Sequence, residues 1–307
     1  MNVREWALPV YTILIQLAAG ALLSLWIYRA WLYFREGSTK MGGLPRVPIL
    51  IILFTTLIAT IGAHFHLSKP FFSLFALLNF STSWLSREIV FTILFFLSLA
   101  GLAYLAWFVE GRQTLKTALG WLAAGLGLVT VYCMARVYML PSQIAWNTPV
   151  TIYSYFAETL FLGAISLSAI LLMDLSFSHQ LEPQRINPRD PLLIKGLTGL
   201  ALGSAVGFVF TLIFSLQHIQ ALQAVEAPSA QTSLLLLLDL YGPLLILQVA
   251  LGILGLAWWL FNLWRHLGSR QATTQLLAPA YTASIMVLVA AILGRFLFYA
   301  MHVRMGI

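Results

Sequence analysis

The stretch Val47-Pro48-Ile49-Leu50-Ile51-Ile52-Leu53-Phe54-Thr55-Thr56-Leu57-Ile58-Ala59-Thr60-Ile61-Gly62-Ala63 runs without a charge into His64-Phe65-His66-Leu67-Ser68-Lys69-Pro70. A second uncharged run, Ile89 to Phe108, follows Ser83-Trp84-Leu85-Ser86-Arg87-Glu88. Crossing a bilayer takes about 20 predominantly apolar residues, so each run is a membrane span. Histidine, arginine and glutamate then sit where lipid meets water. Charge at that depth is costly unless it has a partner or a task.

Working outward, composition says the same of the whole chain. Of 307 residues 60% are hydrophobic and 9% charged, and the mean hydropathy is +0.89. A soluble domain carries about 25% charged residues. The net charge of +7 does not point to nucleic acid, because the basic residues are scattered singly through short connections and form no patch. The single cysteine, Cys133, rules out an internal disulfide and a cysteine-ligated cluster or zinc site within this chain.

Apolar run length predicts eight spans: Ala7 to Trp31, Val47 to Ala63, Ile89 to Phe108, Thr117 to Val137, Ile152 to Met173, Leu192 to Leu216, Leu234 to Leu263 and Leu276 to Ala300. The fold class is therefore an all-α integral membrane protein, an eight-helix bundle forming one membrane domain over 1–307. The first run is too long for a cleavable signal and no small-residue cleavage site follows it, so it is expected to be kept.

Eleven of the seventeen Lys and Arg residues fall on one set of connections: Arg29, Arg35, Lys40, Arg46, Arg112, Lys116, Arg185, Arg189, Lys195, Arg265 and Arg270. Five fall on the other (Arg4, Lys69, Arg87, Arg136 and Arg304), and Arg295 lies inside the last span. Positive charge collects on the cytoplasmic side, so both termini are expected to face outward from the cell membrane.

With that topology the polar residues near span ends gather on the outer side. His64, His66, Arg87, Glu88, Arg136, Tyr138, Glu158, His218, Asp239, Arg295 and Tyr299 all fall there, and one outer polar cavity is the economical expectation. Singly, an arginine or tyrosine at this depth also serves as an interfacial anchor. Glu158 and Asp239 lie several residues inside their predicted spans, and each requires a partner such as Arg136 or Arg295. Structural ion pairs and proton-handling groups both fit them.

The same residues carry a repeat. His66 and His218 are 152 apart, Glu88 and Asp239 are 151 apart, and Arg136-Val137-Tyr138 resembles Arg295-Phe296-Leu297-Phe298-Tyr299 at an offset of 159. Two similarly oriented four-helix halves, 1–145 and 146–307, are one reading; chance matching of short motifs is the other.

Two histidines two apart on a helix point about 200° from each other, so only one of His64 and His66 faces the bundle interior. That argues against a metal held by the pair. Imidazole titrates near neutral pH and suits a reaction that moves protons together with electrons, such as oxidation of a membrane quinol. His66 is the candidate proton acceptor for such a quinol; an interfacial, hydrogen-bonded histidine is the plainer alternative. Histidines at span ends only, never paired at two depths, predict no transmembrane haem relay, while a single outer haem on two of His64, His66 and His218 stays open.

Several segments together resemble the membrane-anchor subunit of the dimethyl sulfoxide reductase family. They are His66-Leu67-Ser68-Lys69-Pro70, Ala76-Leu77-Leu78-Asn79, Ser83-Trp84-Leu85-Ser86-Arg87-Glu88, Ala135-Arg136-Val137-Tyr138, Ala145-Trp146-Asn147-Thr148 and Gly294-Arg295-Phe296-Leu297-Phe298-Tyr299. The resemblance runs from Glu5-Trp6 to Tyr299. It implies a haem-free, eight-helix anchor in a bacterial or archaeal cell membrane, oxidising quinol (menaquinol) and passing electrons to an iron–sulfur subunit. That subunit in turn feeds a molybdopterin catalytic subunit. The resemblance also implies that His66 contributes to the quinol site. The sequence departs from the family at Ser68, where glycine is usual, and at Phe71 and Phe72, where a basic residue is common. The outer loops Leu67 to Ser86 and Tyr138 to Thr151 are the expected docking surface. A membrane transporter and a purely structural anchor are the rival functions.

Overall fold

Inside a bilayer a backbone without water satisfies its amides only as helix or closed barrel, and the long apolar runs here all become helices. The computed structural model describes residues 7–36, 44–65, 75, 78–181, 191–266 and 272–303. Its helices are α1 (Ala7–Glu36), α2 (Arg46–Phe65), α3 (Trp84–Phe108), α4 (Gln113–Tyr138), α5 (Pro149–Leu181), α6 (Pro191–Gln223), the short α7 (Pro228–Leu235), α8 (Gly242–His266) and α9 (Ala272–Ala300). Eight of these are long and apolar enough to cross a membrane, matching the eight expected spans. The protein is an all-helical integral membrane bundle.

Helices α1 and α5 form the centre. α1 packs against α2, α4, α5 and α9, and α5 packs in addition against α6 and α9. Their crossing depends on two glycines in backbone contact: a Cβ on Gly20 would collide with the Thr159 carbonyl, and one on Gly163 with the backbone of Gly20. Lipid tails are as apolar as leucine, so helices in a membrane gain by close packing, and small residues permit it. Ile15, Leu22 and Leu25 of α1 and Leu162, Ile165 and Leu167 of α5 are fully buried there. α8, by contrast, is mostly peripheral.

The helices alternate in direction, so α1, α3, α5 and α8 begin at one end, where α2, α4, α6 and α9 finish. A small separate core closes that end. It joins Ala145 and Trp146 of the α4–α5 connection to Leu222, Ala230, Leu234, Leu237, Leu297 and Met301. The Trp146 indole donates to the Phe298 carbonyl at 2.8 Å, and the Ser233 hydroxyl donates to the Met301 carbonyl at 2.8 Å. These bonds tie both the α4–α5 connection and α7 to the end of α9.

One expected span is corrected. The run Leu234 to Leu263 is not a single helix. It passes from α7 through a π-helical turn, Leu236–Leu240, and breaks at Tyr241 before α8 starts. Tyr241 N–H bonds to the Leu236 carbonyl at 2.9 Å, five residues back. Gly242 and Pro243 follow, and proline belongs in a first helical turn because it has no N–H to donate.

Candidate functional site

Eleven residues were expected in one cavity. The structure places some of the described ones in two buried clusters, with a pair of tyrosines between them, and leaves His64 and Asp239 exposed outside both. His66 lies outside the described residues, as do residues 67–74 and 76–77 of the expected docking loop, which include Ser68, Phe71 and Phe72.

The first cluster surrounds Glu88, at the start of the second turn of α3. Ser83 caps that helix, its hydroxyl accepting from the Ser86 N–H at 3.3 Å, and so turns Glu88 inward, where it is 7% exposed. The Tyr11 hydroxyl of α1 lies beside its carboxyl group and is 2.8 Å from Thr92 Oγ1. When Thr92 donates to the Glu88 carbonyl, 2.8 Å away, Tyr11 donates to Thr92 and presents lone pairs to Glu88. That arrangement suits a protonated carboxyl. Rotating both hydroxyls reverses the line and suits a carboxylate. A buried acid with reversible hydroxyl neighbours has the chemistry to exchange a proton.

Arg87 and Arg136 are not among the residues that line the crevice beside the second cluster. Both stack on Trp84, at 4.2 and 4.4 Å from its ring centroid, a cation–π arrangement. Arg87 also donates to the carbonyls of Phe80 at 3.0 Å and Ser81 at 2.6 Å, fixing the turn before α3. His64 is exposed and its Nδ1 is bonded to the Thr60 carbonyl of its own helix at 2.9 Å. It sits apart from both clusters.

The second cluster is the ion pair of Glu158 on α5 with Arg295 on α9. It is buried: Arg295 is 2% and Glu158 14% exposed. Gln16 of α1 completes it, accepting from Arg295 Nη2 and donating to Glu158 Oε2 at 3.2 Å and to the Tyr155 carbonyl at 2.9 Å. The guanidinium lies 4.1 Å over the Tyr155 ring. This is the partner that Glu158 required. Gln16 carries no charge and sits in an apolar helix, so sequence reasoning passed over it; a lone amide deep in a span was the available signal.

Beside the pair is a crevice of about 100 Å³. Tyr155 and Arg295 form its buried floor, while Thr211, Ser215 and His218 of α6 and Gln248 of α8 form half-buried walls. It lies between α5, α6, α8 and α9. His218 Nε2 donates to the Ala145 carbonyl at 2.6 Å. Asp239 is corrected: it is exposed on the π-helical turn, away from the crevice lining, and has neither Arg136 nor Arg295 as partner.

Between the clusters the hydroxyls of Tyr138 and Tyr299 bond to each other, joining the ends of α4 and α9. They are the two tyrosines that the repeat comparison set side by side.

Fold and site together define a polytopic membrane subunit with acid–base groups buried at one end of the bundle. The sequence pattern of the family described as DMSO reductase anchor subunit (DmsC) matches residues 1–301, and the protein belongs to that family. It is 27% identical over 307 residues to the anaerobic dimethyl sulfoxide reductase chain YnfH of Escherichia coli (strain K12), covering 99% of this sequence and 96% of the relative. It is 29% identical over 187 residues to an anaerobic dimethyl sulfoxide reductase chain of Haemophilus influenzae, covering 59% of this sequence and 64% of the relative. To a second anaerobic dimethyl sulfoxide reductase chain of Escherichia coli (strain K12) it is 24% identical over 315 residues, covering 99% and 96%.

Proposed function

We propose that this anchor oxidises a membrane quinol, menaquinol among them, at the bundle end where α2 finishes and α3 begins. Its electrons pass to an iron–sulfur subunit and on to a molybdopterin catalytic subunit docked on that end. The observation that carries the reading is Glu88: a carboxyl group buried between α1 and α3, beside hydroxyls able to reverse their hydrogen bonds. It lies at the same end as the α2 terminus that leads into His66, in a protein of the DMSO reductase anchor family.

His66 accepts one quinol hydroxyl proton and Glu88 serves the second. Arg87 and Arg136 shape the entrance through Trp84 without touching the head group. The excess of basic residues on the opposite connections supports an outward-facing site, with both termini on that outer side.

His66→Leu is the test. Quinol-driven turnover of the assembled complex is expected to vanish, while the complex still reduces its acceptor with electrons from an artificial dye. Wild-type quinol-driven turnover in His66→Leu refutes the assignment.

A further inference from the structure

Polar side chains occupy the space between the two clusters. On α1, Tyr11 lies beside Glu88, Thr12 beside the Tyr299 hydroxyl, and Gln16 on Glu158 and Arg295. Thr12 and Gln16 are four residues apart, as are Arg295 and Tyr299 on α9, and Tyr155 and Glu158 on α5 are three apart; each pair shares one helix face. Tyr11, Thr12, Gln16, Tyr155 and Arg295 are all at most 6% exposed.

Burying that many polar groups in a lipid-embedded core is costly unless each is bonded. Two are not. Among the described residues, Tyr155 Oη and Arg295 Nε have no hydrogen-bond partner, and both belong to the floor of the crevice. The bonds to Glu158 fall on Oε2, which leaves Oε1 as an acceptor. A cavity of about 100 Å³ with donors and an acceptor on its floor has room for about three waters at ~30 Å³ each.

We infer that the crevice holds a cluster of ordered water and is the outlet for protons released at the Glu88 end. The inference rests on the quinol reading. Each quinol oxidised to quinone yields two electrons, which leave through the partner subunit, and two protons: His66 releases one to bulk water, and the one taken by Glu88 travels the seam of Tyr11, Tyr138, Tyr299 and the crevice water. Each hydroxyl accepts a proton on a lone pair and gives up its own, then rotates back to its starting orientation before the next transfer. Arg295 keeps its charge throughout and holds the water in place.

Two variants test this in the assembled complex in membrane vesicles. Tyr299→Phe removes one hydroxyl and keeps the ring. Thr211→Leu puts apolar bulk into the crevice wall, and the Thr211 hydroxyl donates to the Gly207 carbonyl of its own helix, at 3.0 Å. Both are expected to lower quinol-driven turnover roughly tenfold or more and to enlarge its solvent deuterium isotope effect. Dye-driven turnover and affinity for a quinol analogue are expected to stay at the wild-type level, which a merely misfolded anchor would not show. Wild-type quinol-driven turnover in either variant overturns the inference. So does a fall in turnover matched by a fall in analogue affinity, which would make the crevice part of a binding site. His66→Leu, run alongside, separates the two claims: loss of turnover there with unaffected seam variants defeats the proton outlet alone, whereas retained turnover there defeats the quinol reading itself.

Discussion

Arg295 and Glu158 illustrate what a charge requires inside a membrane. Neither is stable alone at that depth, and each neutralises the other with Gln16 filling the remaining valence. Removing one partner leaves the other buried and uncompensated, so Glu158→Gln is expected to destabilise the bundle by roughly 3 kcal/mol. Replacing both, as in Glu158→Met with Arg295→Met, is expected to restore most of that stability, because a buried pair contributes little beyond a well-packed apolar one. Thermal unfolding of the detergent-solubilised protein, run as a double-mutant cycle, reads the coupling directly; additive losses would show that the pair is not a unit. The pairing was legible in the sequence because a lone acid inside a span demands a base. Gln16 was not, since an amide makes no such demand on its own.

At the scale of elements, apolar run length located the spans well because the backbone in lipid has few alternatives to helix. It failed at Leu234 to Leu240, where the run Leu-Leu-Leu-Leu-Leu-Asp-Leu is as apolar as a span interior but forms the end of α7 and a π-helical turn. The local signal was Gly242-Pro243, which starts a new helix. The consequence is that Asp239 projects from an exposed turn. Asp239→Asn is expected to leave both stability and quinol-driven turnover unchanged, although the repeat comparison aligned it with Glu88. A marked loss of turnover would put the second acid back among the working groups. The crossing of α1 and α5 predicts the opposite sensitivity. Gly20→Leu forces apart two backbones in contact at Gly163, and overpacking of this kind costs about 3 kcal/mol. The assembled complex is expected in much lower yield from solubilised membranes, with a lower unfolding midpoint.

For the whole molecule, the two ends of the bundle differ in kind. The end at which α1 begins holds both buried clusters, whereas the other holds most of the basic connections. An even number of spans puts the start of α1 and the finish of α9 on one side of the membrane. In the orientation proposed from the basic excess that side is the exterior, and Cys133 makes this measurable because it is 2% exposed. Engineered cysteines therefore report alone. Glu226 is exposed in the α6–α7 connection at the cluster-bearing end, and Glu110 is exposed in the α3–α4 connection at the basic end. In intact cells a membrane-impermeant thiol reagent is expected to label Glu226→Cys and to spare Glu110→Cys until the membrane is opened. The reverse pattern would place the buried acids on the cytoplasmic side. Protons leaving the crevice would then enter the cell, and the partner subunits would have to dock from within.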